Sequence, residues 1–150
     1  MPNIGSRGVN LEIGEAFTLR ASAISAATAG TNGTAVTING ERLIYTFILA
    51  CTDVATDALD TLDVYIDTLY GTATWINAVH FTQIIGTDAN TTSFFATVMP
   101  ENLGVSTNIT TDCAVGIVRG IVGSQWRARW IVIDADADAS FIWSLTAYAV

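Results

Sequence analysis

Apolar and polar residues alternate along most of this chain with a period of two, the spacing that puts successive side chains on opposite faces of a β-strand. Residues 61–68 show it most cleanly: Leu62, Val64 and Ile66 fall on one face, Asp63, Tyr65 and Asp67 on the other. Residues 125–133 repeat it, setting Trp126, Ala128, Trp130 and Val132 against Arg127 and Arg129. A half-buried strand has this pattern, which assigns both Trp to the core. Residues 16–23 gather Phe17, Leu19 and Ala21 on one face, and residues 42–52 are apolar on both sides, as a central strand is. Further strands are expected at 34–38, at 74–85 with Trp75, Val79 and Phe81 on one face, and at 93–99, 113–119 and 139–150.

The punctuation between these runs suits short connections. Asn39-Gly40 is the strongest hairpin signal and predicts that 34–38 and 42–52 pair. Gly71-Thr72 predicts a second turn, and residues 24–33 and 86–92 read as loops. Residues 53–60 have room for one helical turn but are too short and too β-branched for a stable helix. Pro2 and Pro100 fall outside the expected strands, where a missing N–H breaks no ladder. Roughly nine strands with almost no helix predict an all-β chain, an antiparallel β-sandwich with a jelly roll as its expected form. No internal repeat is visible. Residues 15–150 read as one domain, preceded by an arm of residues 1–14. In that arm Ile4, Val9, Leu11 and Ile13 are spaced among polar residues, the candidate interface positions through which it adds a strand to a neighbour.

Composition sharpens the picture. Hydrophobic residues make up 51% of the 150, charged residues only 13%, and the mean hydropathy is +0.45. Such a chain either enters a membrane or buries apolar surface against other subunits. Its most apolar run, Leu43-Ile-Tyr-Thr-Phe-Ile-Leu-Ala-Cys51, is about half the ~20 residues a spanning helix needs. The start, Met1-Pro-Asn-Ile-Gly-Ser-Arg, has no apolar signal core, and the alternating strands are too few for a membrane barrel. Subunit burial is therefore expected, and no membrane. The charge balance excludes another partner. All six basic residues are Arg, against 14 acidic ones, a net charge of −8; such a chain cannot build the basic surface that nucleic acid requires. Cys51 and Cys113 sit in apolar, strand-like contexts and read as buried thiols; a disulfide between them would need a spacing that sequence does not give.

Candidate chemistry is sparse. His80 is the single histidine, so any Ser-His-Asp or Cys-His system must use it, yet it stands mid-strand between Val79 and Phe81 with no nucleophile motif near either Cys. One His and two distant Cys make no zinc spacing. Asp134, Asp136 and Asp138 have the first spacings of a calcium loop, but Ala139 replaces its glycine and Leu145 its closing glutamate, leaving a charged hairpin tip. Asp63 and Asp67 lie on one strand face and could be exposed together as a glycosidase pair. The same alternation lets Arg127 and Arg129 neutralise them across strands. Trp75, Trp126, Trp130 and Trp143 could form a sugar platform, although core packing is the expectation for the alternating pair. Asn32-Gly-Thr34, Asn90-Thr-Thr92 and Asn108-Ile-Thr110 match the glycosylation triplet by chance in a Thr-rich chain. The residues thus predict a non-enzymatic protein with no catalytic, cofactor or metal ligands.

An ordered set of motifs carries a resemblance. Thr61-Leu-Asp-Val-Tyr-Ile-Asp-Thr68 is followed by the Gly71 turn, then by Thr74-Trp-Ile-Asn77 leading to His80-Phe81-Thr82-Gln83. Gln125-Trp-Arg-Ala-Arg-Trp130 and the closing Ala139-Ser-Phe-Ile-Trp-Ser-Leu-Thr146 complete it. Over residues 61–150 this succession resembles the head decoration, or cement, proteins of tailed bacteriophages, which have a jelly-roll fold. The resemblance implies a structural virion protein: a homotrimer on the outer surface of the capsid, bound at junctions between major capsid protein subunits, with no cofactor. The alternative expectation is a carbohydrate-binding β-sandwich module of a phage tail or fibre, which an exposed Trp or Tyr ladder beside polar side chains would favour.

Overall fold

The computed structural model describes residues 15–25, 28–38, 44–55, 59–86, 92–100, 112–113, 115–120, 123–134 and 140–149. The interface positions Ile4, Val9, Leu11 and Ile13, and the arm that holds them, lie outside the described residues, as do Asn39-Gly40, Asp136 and Asp138.

The described chain is all-β, with twelve strands: β1 (Glu15–Ser25), β2 (Thr28–Asn32), β3 (Val36–Thr37), β4 (Tyr45–Ala55), β5 (Thr61–Tyr70), β6 (Thr74–Phe81), β7 (Ile84–Ile85), β8 (Thr92–Pro100), β9 (Asp112–Cys113), β10 (Val115–Gly120), β11 (Gln125–Ile133) and β12 (Ser140–Ala149). They form two sheets. The first runs β1-β12-β4-β8-β10; the second runs β2-β11-β5-β6-β9, with β3 added to β11 and β7 to β5. Pairing is antiparallel except at one edge of each sheet, where β10 lies parallel to β8 and β9 parallel to β6.

Strict alternation makes the sandwich. Along β12, Phe141, Trp143, Leu145, Ala147 and Ala149 are all buried, and along β5 Leu62, Val64, Ile66 and Thr68 are. β4 is central, between β12 and β8, as its apolar run predicts. Its Tyr45 and Phe47 rings meet Trp126 of the opposite sheet at 4.9 and 5.0 Å, while Trp130 meets Trp143 edge-on at 5.3 Å. These aromatic pairs join the two sheets, each contributing about 0.5–1.5 kcal/mol beyond its buried area.

Several expectations need correction. The supposed loop at 24–33 contains β2, whose backbone is satisfied by β11; its register slips between Trp130 and Val132 where Gly30 takes a φ of 146°. Gly and small polar residues conceal such a bulged edge strand from any period-two reading. The hairpin expected at Asn39-Gly40 does not pair its flanks, because β3 joins β11 and β4 joins β12 and β8 in the other sheet. Residues 113–119 likewise divide between sheets, as β9 and β10. Residues 53–55, read as too short and too β-branched for a stable helix, extend β4. Pro100 closes β8, a strand end where its missing N–H matters least. Trp75 does not share a face with Val79 and Phe81, because a register shift between Ile66 and Asp67 sets Trp75 beside Leu69 on the outer side.

Candidate functional site

The outer face of the second sheet carries the densest polar constellation among the described residues. β5 supplies Asp63, Tyr65 and Asp67, and its neighbours complete the rows: Arg127 stands opposite Asp67 and Arg129 opposite Tyr65 on β11, with Asn77 opposite Asp67 and His80 opposite Tyr65 on β6. Asp67 is only 4% exposed. Its Oδ2 accepts from Arg127 Nε and Nη2 at 3.4 Å each and from Arg129 Nε at 3.2 Å. Each guanidinium also lies over a ring, Arg127 over Trp75 at 4.2 Å and Arg129 over Tyr65 at 3.9 Å. The cross-strand neutralisation expected from alternation is therefore realised for Asp67. The joint exposure of Asp63 and Asp67 is not.

Asp63 has a different set of partners. His80 Nε2 lies 3.1 Å from its Oδ1, Gln83 Nε2 donates to its Oδ2 at 2.8 Å, and the His80 ring stacks on Tyr65 at 4.1 Å. The His80 hydrogen bond, helped by that of Gln83 and opposed by burial, holds the Asp63 carboxyl below its ordinary range. Four strand rises separate Asp63 from Asp67, about 13 Å along β5. That exceeds the roughly 5–9.5 Å between glycosidase carboxyls, so the pair does not form that site. A His–Asp couple is the part of a triad that orients the base. The thiol Cys51, however, is 1% exposed and points into the core from β4 of the other sheet; the side chain of Cys113 lies outside the described residues.

The four Trp divide. Trp126 and Trp143 are fully buried, and Trp130 and Trp75 are half-buried. Beside Trp130 a groove of about 410 Å³ opens between β1 and β2, lined by Leu19, Arg20, Ala21, Ala23, Asn32, Gly33, Thr34 and Trp130. Arg20 sits over Trp143 at 4.2 Å and Trp130 at 4.7 Å, and donates to Ala23 O at 3.1 Å and Ser25 Oγ at 2.7 Å. Ser25 Oγ also accepts the buried Trp143 Nε1–H at 3.0 Å. Burial draws the Arg20 guanidinium below its ordinary pKa. Sequence reasoning missed this clamp: Arg20 looked like the polar step of an alternating strand, and two register shifts in β1 turn it inward.

The outer face of the first sheet is the opposite in character. Thr18, Thr46, Thr97, Ser144 and Thr146 surround Ile48, Phe95 and Tyr148, and no described side chain on this face is charged. Ile48 and Phe95 stand directly opposite each other, and Phe95 and Tyr148 are 43% and 40% exposed.

Among the described residues no three His, Cys, Asp or Glu side chains gather as a metal site, and no helix is long and apolar enough to cross a membrane. Of the three Asp in the calcium-like run only Asp134 is described, directly after β11, and Leu145 is buried in the core. Comparison of the chain with protein-family models, curated proteins and solved structures finds no match.

Proposed function

We propose that this protein is a structural virion component, a non-enzymatic decoration or cement subunit. In this reading it assembles as a homotrimer with jelly-roll strand order on the outer surface of a tailed-phage head and stabilises contacts between major capsid proteins. The observation that carries the proposal is the outer face of the first sheet, on which no described side chain is charged. A chain with 14 acidic residues against six Arg presents there Thr, Ser and Ala around Ile48, Phe95 and Tyr148. Copies of a protein of net charge −8 repel one another except where such a face lets them approach without desolvating charge. The motif resemblance over residues 61–150 supports the same assignment. The mechanism is linkage: a subunit that binds the assembled shell, and not its free components, stabilises the shell.

The carbohydrate-binding alternative has less support. Trp126 and Trp143 are buried, and the outer rings of Trp75 and Tyr65 already carry guanidinium groups on their faces. A sugar would have to displace them to stack.

Light scattering of the purified chain, followed by co-sedimentation with undecorated heads of its phage, tests the proposal. The expected result is a trimer that binds heads and raises their melting temperature, with both properties lost in Phe95→Glu. A monomer that leaves the heads unbound would overturn it.

A further inference from the structure

Among the described residues, the Arg127–Arg129 pair has more binding capacity than is used. Two guanidinium groups share one carboxylate oxygen. Of the five N–H donors each guanidinium carries, Arg127 directs two and Arg129 one at Asp67, the sole hydrogen-bond acceptor of either among the described residues. The next carboxylate on the strand, Asp63, is held by His80 and Gln83. Asn77 stands opposite Asp67 in the same row on the far side of β5, and its Oδ1 is buried without a hydrogen-bond partner. Neither guanidinium donates to it. Both side chains keep partial exposure, 19% for Arg127 and 29% for Arg129.

Pre-organisation is the second part of the argument. Arg127 lies against Trp75 and Arg129 against Tyr65. A guanidinium held over a ring and tied to a buried carboxylate has lost side-chain freedom, so an incoming ligand has less to order. The planar fork matches the two oxygens of a carboxylate. The row crosses three strands of a broad sheet face, the form of a surface that meets another protein.

We propose that Arg127 and Arg129 form a receptor for an Asp or Glu carboxylate presented by another protein chain. The proposal goes beyond the capsid reading and does not depend on it, since it uses the opposite face of the sandwich. In a chain with 14 acidic residues and six Arg, two of the six converge here, and a partner's acidic side chain is guided to them.

The test is NMR of the arginine Nε–Hε signals at low salt. The probes are a blocked Gly-Glu-Gly-Glu-Gly peptide, its Gln counterpart, and inorganic phosphate. The expected result is saturable movement of the Arg127 and Arg129 signals with the Glu peptide and none with the Gln peptide, leaving Arg20 still. Single variants Arg127→Gln and Arg129→Gln should each weaken the peptide about tenfold or more, the equivalent of one charge-assisted hydrogen bond. Their amide spectra establish that they remain folded, and Arg20→Gln should bind like the parent. Movement that grows with protein concentration alone, abolished by either Arg variant, would also support the site and identify the partner as a second copy. Signals that move with phosphate but not with the Glu peptide, or equal binding by the Glu and Gln peptides, would overturn it. So would unchanged affinity in both folded Arg variants.

Discussion

Removing the Asp67 carboxylate should destabilise this protein more than its place on an outer sheet face suggests. Its Oδ2 lies 3.2 Å from Arg129 Nε and 3.4 Å from two nitrogens of Arg127. Unit charges at that separation attract by about 5 kcal/mol per pair at an effective dielectric near 20. Most of that attraction offsets the desolvation of a carboxylate that is 4% exposed, so the net value of the network is small. Truncation is a different matter, because Asp67→Ala leaves two guanidinium groups beside each other with no counter-charge. A fully buried pair broken in this way costs about 3–5 kcal/mol, and the partial exposure of both Arg lowers the expectation to about 2–3 kcal/mol. With a urea slope of about 1–3 kcal/mol/M, the unfolding midpoint should fall by roughly 1–2 M. Asp67→Asn keeps the shape and should lose about 1–2 kcal/mol. The sign of the coupling is the more discriminating readout. Adding Arg129→Gln to Asp67→Ala should recover part of the loss, since one of the two uncompensated charges is gone. An Asp67→Ala midpoint equal to the parent's, or a double variant that loses the sum of the two single effects, would refute this account.

Two further outcomes follow from local geometry. A Cβ on Gly123 would run into the carbonyl oxygen of Leu69 and press on Thr68 Oγ1, which accepts the Gly123 N–H at 2.8 Å and donates to Gln125 O at 3.3 Å. Gly123→Ala should therefore cost about 2–4 kcal/mol in urea unfolding, an overpacking term plus displaced hydrogen bonds; a parent-like midpoint would contradict it. The Asp63 carboxyl titrates lower in the folded protein than in the unfolded chain because of His80 and Gln83. Its contribution is then full above the unfolded value of about 4 and is lost as the pH falls through the lower folded value. The stability difference between the parent and Asp63→Asn should accordingly shrink on acidification below about pH 4, and a difference that grows there would reverse the assigned sign.

The strands that alternate strictly and run long were readable from the chain. β5, β11 and β12 follow their periods because each has one face in the core and one out. Strand partners were not readable, because a period of two fixes which side is buried but not which neighbour lies alongside. Asn39-Gly40 illustrates this: turn chemistry predicts a reversal, yet β3 and β4 enter different sheets. Register shifts are equally silent in sequence. One shift, at Ile66/Asp67, carries Trp75 from the expected core to the outer face, and two in β1 carry Arg20 inward onto Trp143. Each inserts an extra residue without changing the composition of its segment.

The outer polar face was half legible for the same reason. An Arg-x-Arg on one strand and an Asp-x-Tyr-x-Asp on another are each visible in sequence, and alternation alone suggested that they meet. What alternation could not supply was the offset between the strands, and here the offset decides the chemistry. In the observed register Arg127 stands opposite Asp67 and Arg129 opposite Tyr65, so both cations converge on Asp67 while Asp63 faces Ile131. Sliding β11 by two residues keeps every side chain on its present face. In the sense that brings Arg129 opposite Asp67, it carries Arg127 past the strand's last carboxylate; in the other sense it brings Arg129 opposite Asp63 and Arg127 opposite Tyr65. The second arrangement would place Asp63, now bound to His80 and Gln83, within reach of a guanidinium and leave Asp67 a weaker partner. The surplus of N–H donors that Arg127 and Arg129 show among the described residues is thus a property of register rather than composition. It follows that a charge-neutral Arg127→Lys or Arg129→Lys exchange, which preserves every sequence-level feature but loses the planar fork, is not conservative at this face.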